Sequence, residues 1–199
     1  LVEREYYLLG QLQRRALPCV EPVGTLSGRI DVHGRALACA LITKHLPFSL
    51  PYLALFSSSL RVETADRLLD ALALLLVQLH LVGFSWNDVS LSNTLFLRDA
   101  GSFAAYLVNA ETGELHPALS SGQREYDLET AATNVTGELM DLAAGGRLQE
   151  GIDPIVTGVD LCLCDDALWE TITKPVEFTR ENRLALEKKF VSSTRWALM

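Results

Sequence analysis

The chain has 199 residues, 49% of them hydrophobic, so it can bury a core as one substantial domain or as two small lobes sharing a cleft, and its composition is not that of a disordered chain. Lys and Arg number 17 against 25 Asp and Glu, for a formal net charge of -8. That balance argues against a nucleic-acid partner, because phosphate backbones need clustered cations and no basic run here exceeds a pair such as Arg14-Arg15.

The most apolar stretch, residues 68–81, is interrupted by Asp70, Gln78 and His80 and is too short to span a bilayer. The opening LVEREYYLLG carries charge where a signal peptide needs an apolar run, so a cytoplasmic protein is expected. Cys19, Cys39, Cys162 and Cys164 form no CxxC pair and read as free thiols rather than zinc ligands. His33, His45, His80 and His116 are scattered without an HExxH pattern. The first residue is Leu, inside a helical pattern, which suggests a truncated N-terminal segment.

In chain order, residues 2–16 predict an amphipathic helix with Leu8, Leu9 and Leu12 on one face and Pro18 as its stop. Residues 20–26 and 36–43 predict short strands, separated by a turn around Asp31 and His33-Gly34. Residues 44–51 read as a polar, proline-marked linker. The strongest helix is expected over 64–82, where Leu68, Leu69, Leu72, Leu75, Leu76 and Leu79 keep the 3.6-residue period, with Thr64 as N-cap and Gly83 as stop.

A polar loop follows, then apolar runs at 94–97 and 104–108 around a turn at 98–101, which predicts a β-hairpin. Residues 123–144 predict a second long helix ended by Gly145-Gly146, and 165–173 and 179–190 are further helix candidates. Cys162 and Cys164 read as an apolar strand ending at a helix cap. Asn134-Val135-Thr136 matches a glycosylation sequon but falls mid-helix and is discounted.

The stretch GFSWNDVSLSNTLF, residues 83–96, carries the chemistry. Asp88 and Asn93 stand five apart in a polar loop between a helix and a strand, and Asn109 at the exit of the hairpin returns to the same end. Phosphoryl transfer needs a carboxylate to orient and deprotonate an acceptor hydroxyl, and oxygen ligands for the magnesium that bridges the phosphates. Asp88 suits the first task, Asn93 the second, and Asn109 or Glu111 a further ligand position. Asp88 and Asn93 are also ordinary turn residues, and Glu5 and Glu111 also read as solvated carboxylates.

These residues resemble a protein-kinase-like catalytic loop, in which His-Arg-Asp is followed by four residues and Asn; here Trp86-Asn87-Asp88 stands at the triplet and Asn93 at the amide. VEREYYLLGQL resembles the regulatory helix of the small lobe, with Glu5 as its carboxylate. ALITKHL resembles the last small-lobe strand running into the hinge, with Thr43 near the gatekeeper position and Lys44, His45 and Leu46 as hinge. LVNAE resembles the strand before the metal-binding Asp-Phe-Gly. REYDLE resembles the helix whose acid anchors the catalytic loop, here Asp127, which could alternatively cap its own helix.

In detail, residues 83–142 look most like a lipopolysaccharide-kinase-like family of uncharacterised actinobacterial proteins with a C-terminal domain of unknown function. The resemblance covers about three quarters of the chain. It implies an α+β, protein-kinase-like two-lobe fold with a truncated N-terminal lobe and a mainly helical C-terminal lobe. The implied divisions are 1–46 for the partial small lobe, 47–150 for the large lobe and 151–199 for a helical extension.

It also implies ATP and Mg2+ as cofactors, with Asp88 as base, Asn93, Asn109 and Glu111 near metal, and Glu5 and residues 43–46 near nucleotide. The short gap between Asn109 and Asp127 leaves little room for an activation segment, so a sugar or other small-molecule hydroxyl is the expected acceptor. Three departures stand: the Gly-rich loop and nucleotide-binding Lys are absent, Trp86 and Asn87 replace His and Arg, and Asn109 replaces the metal-binding Asp. The last leaves a pseudokinase or nucleotide- or partner-binding module as the alternative. A fragment without function of its own is a third.

Overall fold

A computed structural model describes residues 1–56, 62–99 and 102–174. Two compact units are distinguished, Leu1–Trp169 and Glu170–Met199; all that follows lies in the first, apart from the end of the last helix. The expected helix over 179–190 lies outside the described residues.

Helix α1, Val2–Arg14, buries Leu8, Leu9 and Leu12. It ends before the predicted residue 16, because Ala16 takes a left-handed conformation (φ 57°) that breaks the helical path two residues before Pro18. Strands β1, Pro22–Leu26, and β2, Ala40–Thr43, pair antiparallel with a register shift between Pro22 and Gly24, and α1 packs on both. Residues 36–39 do not continue β2; Ala36 instead bridges back to Ile30 around a turn that Asp31 ties to His33 and Arg35.

The predicted linker at 44–51 is a correction. It contains β3, Ser49–Pro51, an edge strand on the hairpin, and helix α2, Tyr52–Phe56, follows directly. Three residues ending in Pro carry too little pattern to read as a strand from sequence, and edge strands are where Pro is tolerated.

Helix α3, Val62–Leu81, is the spine. Leu68, Leu72, Leu75, Leu76 and Leu79 are fully or almost fully buried, each contributing roughly 1.5–3 kcal/mol of burial. It begins two residues before Thr64, which therefore lies in its first turn and not at its cap. Strands β5, Thr94–Asp99, and β6, Ser102–Leu107, form the expected hairpin, six residue pairs long from Thr94↔Leu107 to Asp99↔Ser102, and α3 packs against β6. Two short strands escaped sequence reading: β4, Phe84–Ser85, and β7, Glu114–Leu115, which pair antiparallel.

Helix α4, Ser121–Ala144, opens on a capping box in which the Ser120 hydroxyl accepts from the Gln123 N–H and the Gln123 side chain accepts from the Ser120 N–H. Asp127 lies a turn and a half inside, so it does not cap this helix. Helix α5, Pro154–Thr173, starts eleven residues before the predicted 165. Cys162 and Cys164 are mid-helix, not in a strand, and Asp165 is buried in an ion pair rather than serving as a cap. Apolar residues fall all round α5, so periodicity could not separate helix from strand there. One contiguous core joins α1, α3, α4 and α5 to the strands β4, β5 and β6.

Candidate active site

The loop at 86–93 is held from three sides. Its entry is fixed at Gly83, where φ is +79° and the N–H of His116 donates to the Gly83 carbonyl at 2.8 Å. Any Cβ at Gly83 would overlap the His116 carbonyl oxygen, so this approach of two backbones requires glycine. β4 then pairs with β7, which lays residues 84–88 alongside residues 109–115.

Side chains stitch the two segments together. The buried Trp86 indole Nε1–H donates to the Asn109 carbonyl at 2.7 Å. The Thr112 hydroxyl donates to the Trp86 carbonyl at 2.9 Å, and the Asn87 amide donates to the Thr112 carbonyl at 3.1 Å. Asn87 has φ 63°, a left-handed conformation that Asn tolerates better than most residues, and the Ser85 hydroxyl holds its Oδ1 at 2.9 Å.

The second side is one face of α4. The fully buried Asp127 carboxylate accepts the N–H groups of Trp86 at 2.7 Å and Asn87 at 2.6 Å, and His80 Nε2 of α3 lies 3.1 Å from it. Seven residues on, the Asn134 amide donates to the Val89 carbonyl at 3.0 Å. Four further, Glu138 accepts the N–H groups of Leu91 at 2.7 Å and Ser92 at 2.9 Å. Two carboxylates and an amide thus hold the backbone of 86–92, in bonds that ionised acceptors strengthen. Glu138 was not singled out in the sequence, and Asn134 only as part of a discounted sequon, although spacings of seven and eleven from Asp127 put all three on one helical stripe.

The third side is α1. The Arg4 guanidinium donates to the carbonyls of Glu111 at 3.1 Å and Gly113 at 2.7 Å, and lies 3.9 Å from Glu114. The Glu5 carboxylate accepts from the Ala110 N–H. Burial pushes the Glu5 carboxyl up, the Ala110 N–H pulls it back, and the neighbouring Glu111 charge pushes it up again.

Within this frame the Asn93 amide nitrogen donates to both the carbonyl and Oδ2 of Asp88, at 3.0 and 2.9 Å. The Asn93 carbonyl accepts the Val108 N–H at 3.0 Å, beside Asn109. Asp88, Asn93 and Asn109 therefore gather at one end of the β5–β6 hairpin, and all three are half-buried. Asn109 Oδ1 accepts the Glu111 N–H at 2.9 Å. Among the described residues, 43–46 make no hydrogen bond or ion pair to this loop; Lys44 pairs instead with Glu21 at 3.0 Å, and Thr43, Lys44 and His45 are exposed.

For a hard cation the donors are right in kind: one carboxylate oxygen of Asp88 and the amide oxygens of Asn93 and Asn109. Among the described residues no group of three or more His, Cys, Asp or Glu side chains could hold a metal. The Asn109 oxygen is already engaged by an N–H and carries no formal charge, so it would be a weak ligand for a cation.

No family model matches the chain, and no curated protein does. Among solved structures, "WaaP in complex with acyl carrier protein" is similar over 86% of this chain and 76% of that one, with a TM-score of 0.51 and 13% identity. The fold is protein-kinase-like. No helix among the described residues is long and apolar enough to cross a membrane.

Proposed function

We propose that this chain is a kinase-like phosphotransferase that moves the γ-phosphate of ATP to a hydroxyl of a sugar or other small molecule. The observation that supports this best is the Asp88–Asn93 pair, joined by a 2.9 Å hydrogen bond and held against Asn109 by backbone contacts from three sides. In this reading Asp88 Oδ1, which has no hydrogen bond among the described residues, orients the acceptor hydroxyl and takes its proton. Asn93 keeps Oδ2 of Asp88 fixed, so only one carboxylate oxygen faces the acceptor. The amide oxygens of Asn93 and Asn109 would face Mg2+, which when bound neutralises charge on the phosphates. Glu5, bonded to Ala110 beside Asn109, supports the nucleotide side, and residues 43–46 form its outer edge. Only seventeen residues separate Asn109 from Asp127, and they are used up by β7 and the turn into α4, which favours a small acceptor over a protein.

A second reading, a pseudokinase that binds nucleotide or a partner without catalysis, is favoured by Asn109. It brings no charge where a carboxylate would be expected, and its oxygen is engaged by the Glu111 N–H. The two separate in one experiment: nucleotide binding by calorimetry with and without Mg2+, then ATP turnover over a panel of sugars, for the natural chain and for Asn109→Asp. The transferase reading expects turnover by the natural chain and a roughly tenfold gain in Mg2+ affinity for the substitution. Turnover only in Asn109→Asp establishes the pseudokinase. Absence of nucleotide binding in both refutes the transferase reading and the nucleotide-binding form of the second.

A further inference from the structure

The part of α5 up to Trp169 closes on the group that anchors the loop of Asp88 and Asn93. The Arg124 guanidinium of α4 pairs with the buried Asp165 and with Asp166 at 2.7 Å. The same guanidinium stacks 4.7 Å over the Trp169 ring. Trp169 in turn meets His80 edge-on, with ring centroids 6.4 Å apart, and His80 Nε2 faces Asp127. Burial pushes the Asp165 carboxyl up against the pull of Arg124 and of His80, which places His80 within electrostatic reach of α5. The contacts therefore run unbroken from α5 to the N–H groups of Trp86 and Asn87.

This cluster is not held by its own satisfaction. His80 Nδ1, Arg124 Nε and Asp165 Oδ2 are buried and each lacks a hydrogen bond among the described residues, an arrangement that disfavours the cluster unless packing enforces it. The packing is present next to it. A Cβ at Gly158 of α5 would overlap the Thr136 hydroxyl and come within 2.8 Å of the Ala132 carbonyl oxygen, so the two helices meet backbone to side chain with no room to spare. The Cys162 thiol rests 3.5 Å from the Leu128 carbonyl, one residue from Asp127.

We propose that α5 is a positioning element for the loop that carries Asp88 and Asn93, with Arg124, Trp169 and His80 transmitting its seating to Asp127. The consequence for catalysis rests on the phosphotransferase reading, but the mechanical link does not, and it is measured without nucleotide. The test is site-resolved amide hydrogen exchange on the full chain for Trp169→Ala, which removes the ring between Arg124 and His80, and for Gly158→Ala, which disturbs the seating of α5 on α4 without substituting any side chain of the polar cluster.

The expected result is exchange at the Trp86 and Asn87 amides faster by about tenfold in both variants, with the amides of 72–79 in α3 unchanged. A merely stabilising helix would instead accelerate all of these together in proportion to lost global stability. If the amides of 158–165 accelerate while those of Trp86 and Asn87 stay within about twofold of the natural chain, the proposal is overturned. If Trp169→Ala does not fold, Trp169→Phe replaces it: it keeps a ring on Arg124, and its loop amides must still exchange faster than those of α3, or the proposal fails. Should the natural chain prove to turn over ATP, the same variants lower kcat and leave the nucleotide dissociation constant unchanged.

Discussion

Asp127→Asn isolates the energetic weight of the loop anchor, because it changes charge and one acceptor but almost no volume. The natural carboxylate satisfies two buried N–H groups with two oxygens, Oδ2 to Trp86 and Oδ1 to Asn87, and Oδ2 also faces His80. Asparagine offers one oxygen, so whichever way the amide turns, one of these N–H groups meets an NH2 group and loses its acceptor, at a cost of about 1–3 kcal/mol. The surviving bond falls from charge-assisted to neutral, which costs about 1 kcal/mol more. Turning the NH2 toward His80 recovers a hydrogen bond only if that ring carries its proton on Nδ1, so the sum stands near 2–4 kcal/mol.

Domains are stable by only about 5–15 kcal/mol, so the loss is a large fraction of the total. In urea, with a slope of about 2 kcal/mol/M, the midpoint should fall by roughly 1–2 M with the slope unchanged. Glu125→Gln, an exposed acid on the same helix, should leave it in place. A fall of less than about 0.3 M for Asp127→Asn would refute the view that this carboxylate carries the loop.

Other outcomes follow from the same geometry. Gly83→Ala places a Cβ onto the His116 carbonyl at a positive φ, and should lower Tm by roughly 5–10 °C in a thermal melt; a change under about 2 °C would mean that the two backbones separate easily. Thiol labelling at pH 8 should modify the exposed Cys39 first, with Cys19, whose thiol burial pushes up to about 11, slower by about a hundredfold; comparable rates would place Cys19 at the surface.

Glu5 has a folded-state value above its unfolded one, so its contribution to stability is complete below about 4.3 and is lost as pH rises through the raised value. Glu5→Gln should therefore flatten the decline of Tm across that window and leave Tm at pH 7 equal or higher. A drop of more than about 2 °C there would show that the charged form stabilises α1.

What the sequence disclosed and what it withheld follow a physical division. The spine α3, the hairpin β5–β6 and most of α4 were readable because each carries its own period over many residues, and the pairing of Asp88 with Asn93 lay within one short loop. β4 and β7 are two residues each, and only their partnership, together with the glycine that lets Gly83 approach His116, makes them strands. The α4 stripe of Asp127, Asn134 and Glu138 was open to reading in principle, since its spacing is helical. Asp127 was read as the anchor through the resemblance, but Asn134 and Glu138 were not read as its companions, because polar residues on a helix are ordinarily assigned to solvent; here Asp127 and Glu138 accept loop N–H groups and Asn134 donates to a loop carbonyl.

Residues 154–164 failed for the opposite reason: apolar on every side, α5 shows no face, and its register on α4 is set by Gly158, a residue with no side chain to leave a mark. The loop's chemistry is thus local in sequence, whereas its rigidity is supplied by residues 40 to 47 positions away, Asp127, Asn134 and Glu138, as a helix laid across it. A search for function that weighs only the loop motif finds the reacting groups and misses the scaffold that decides whether they hold still.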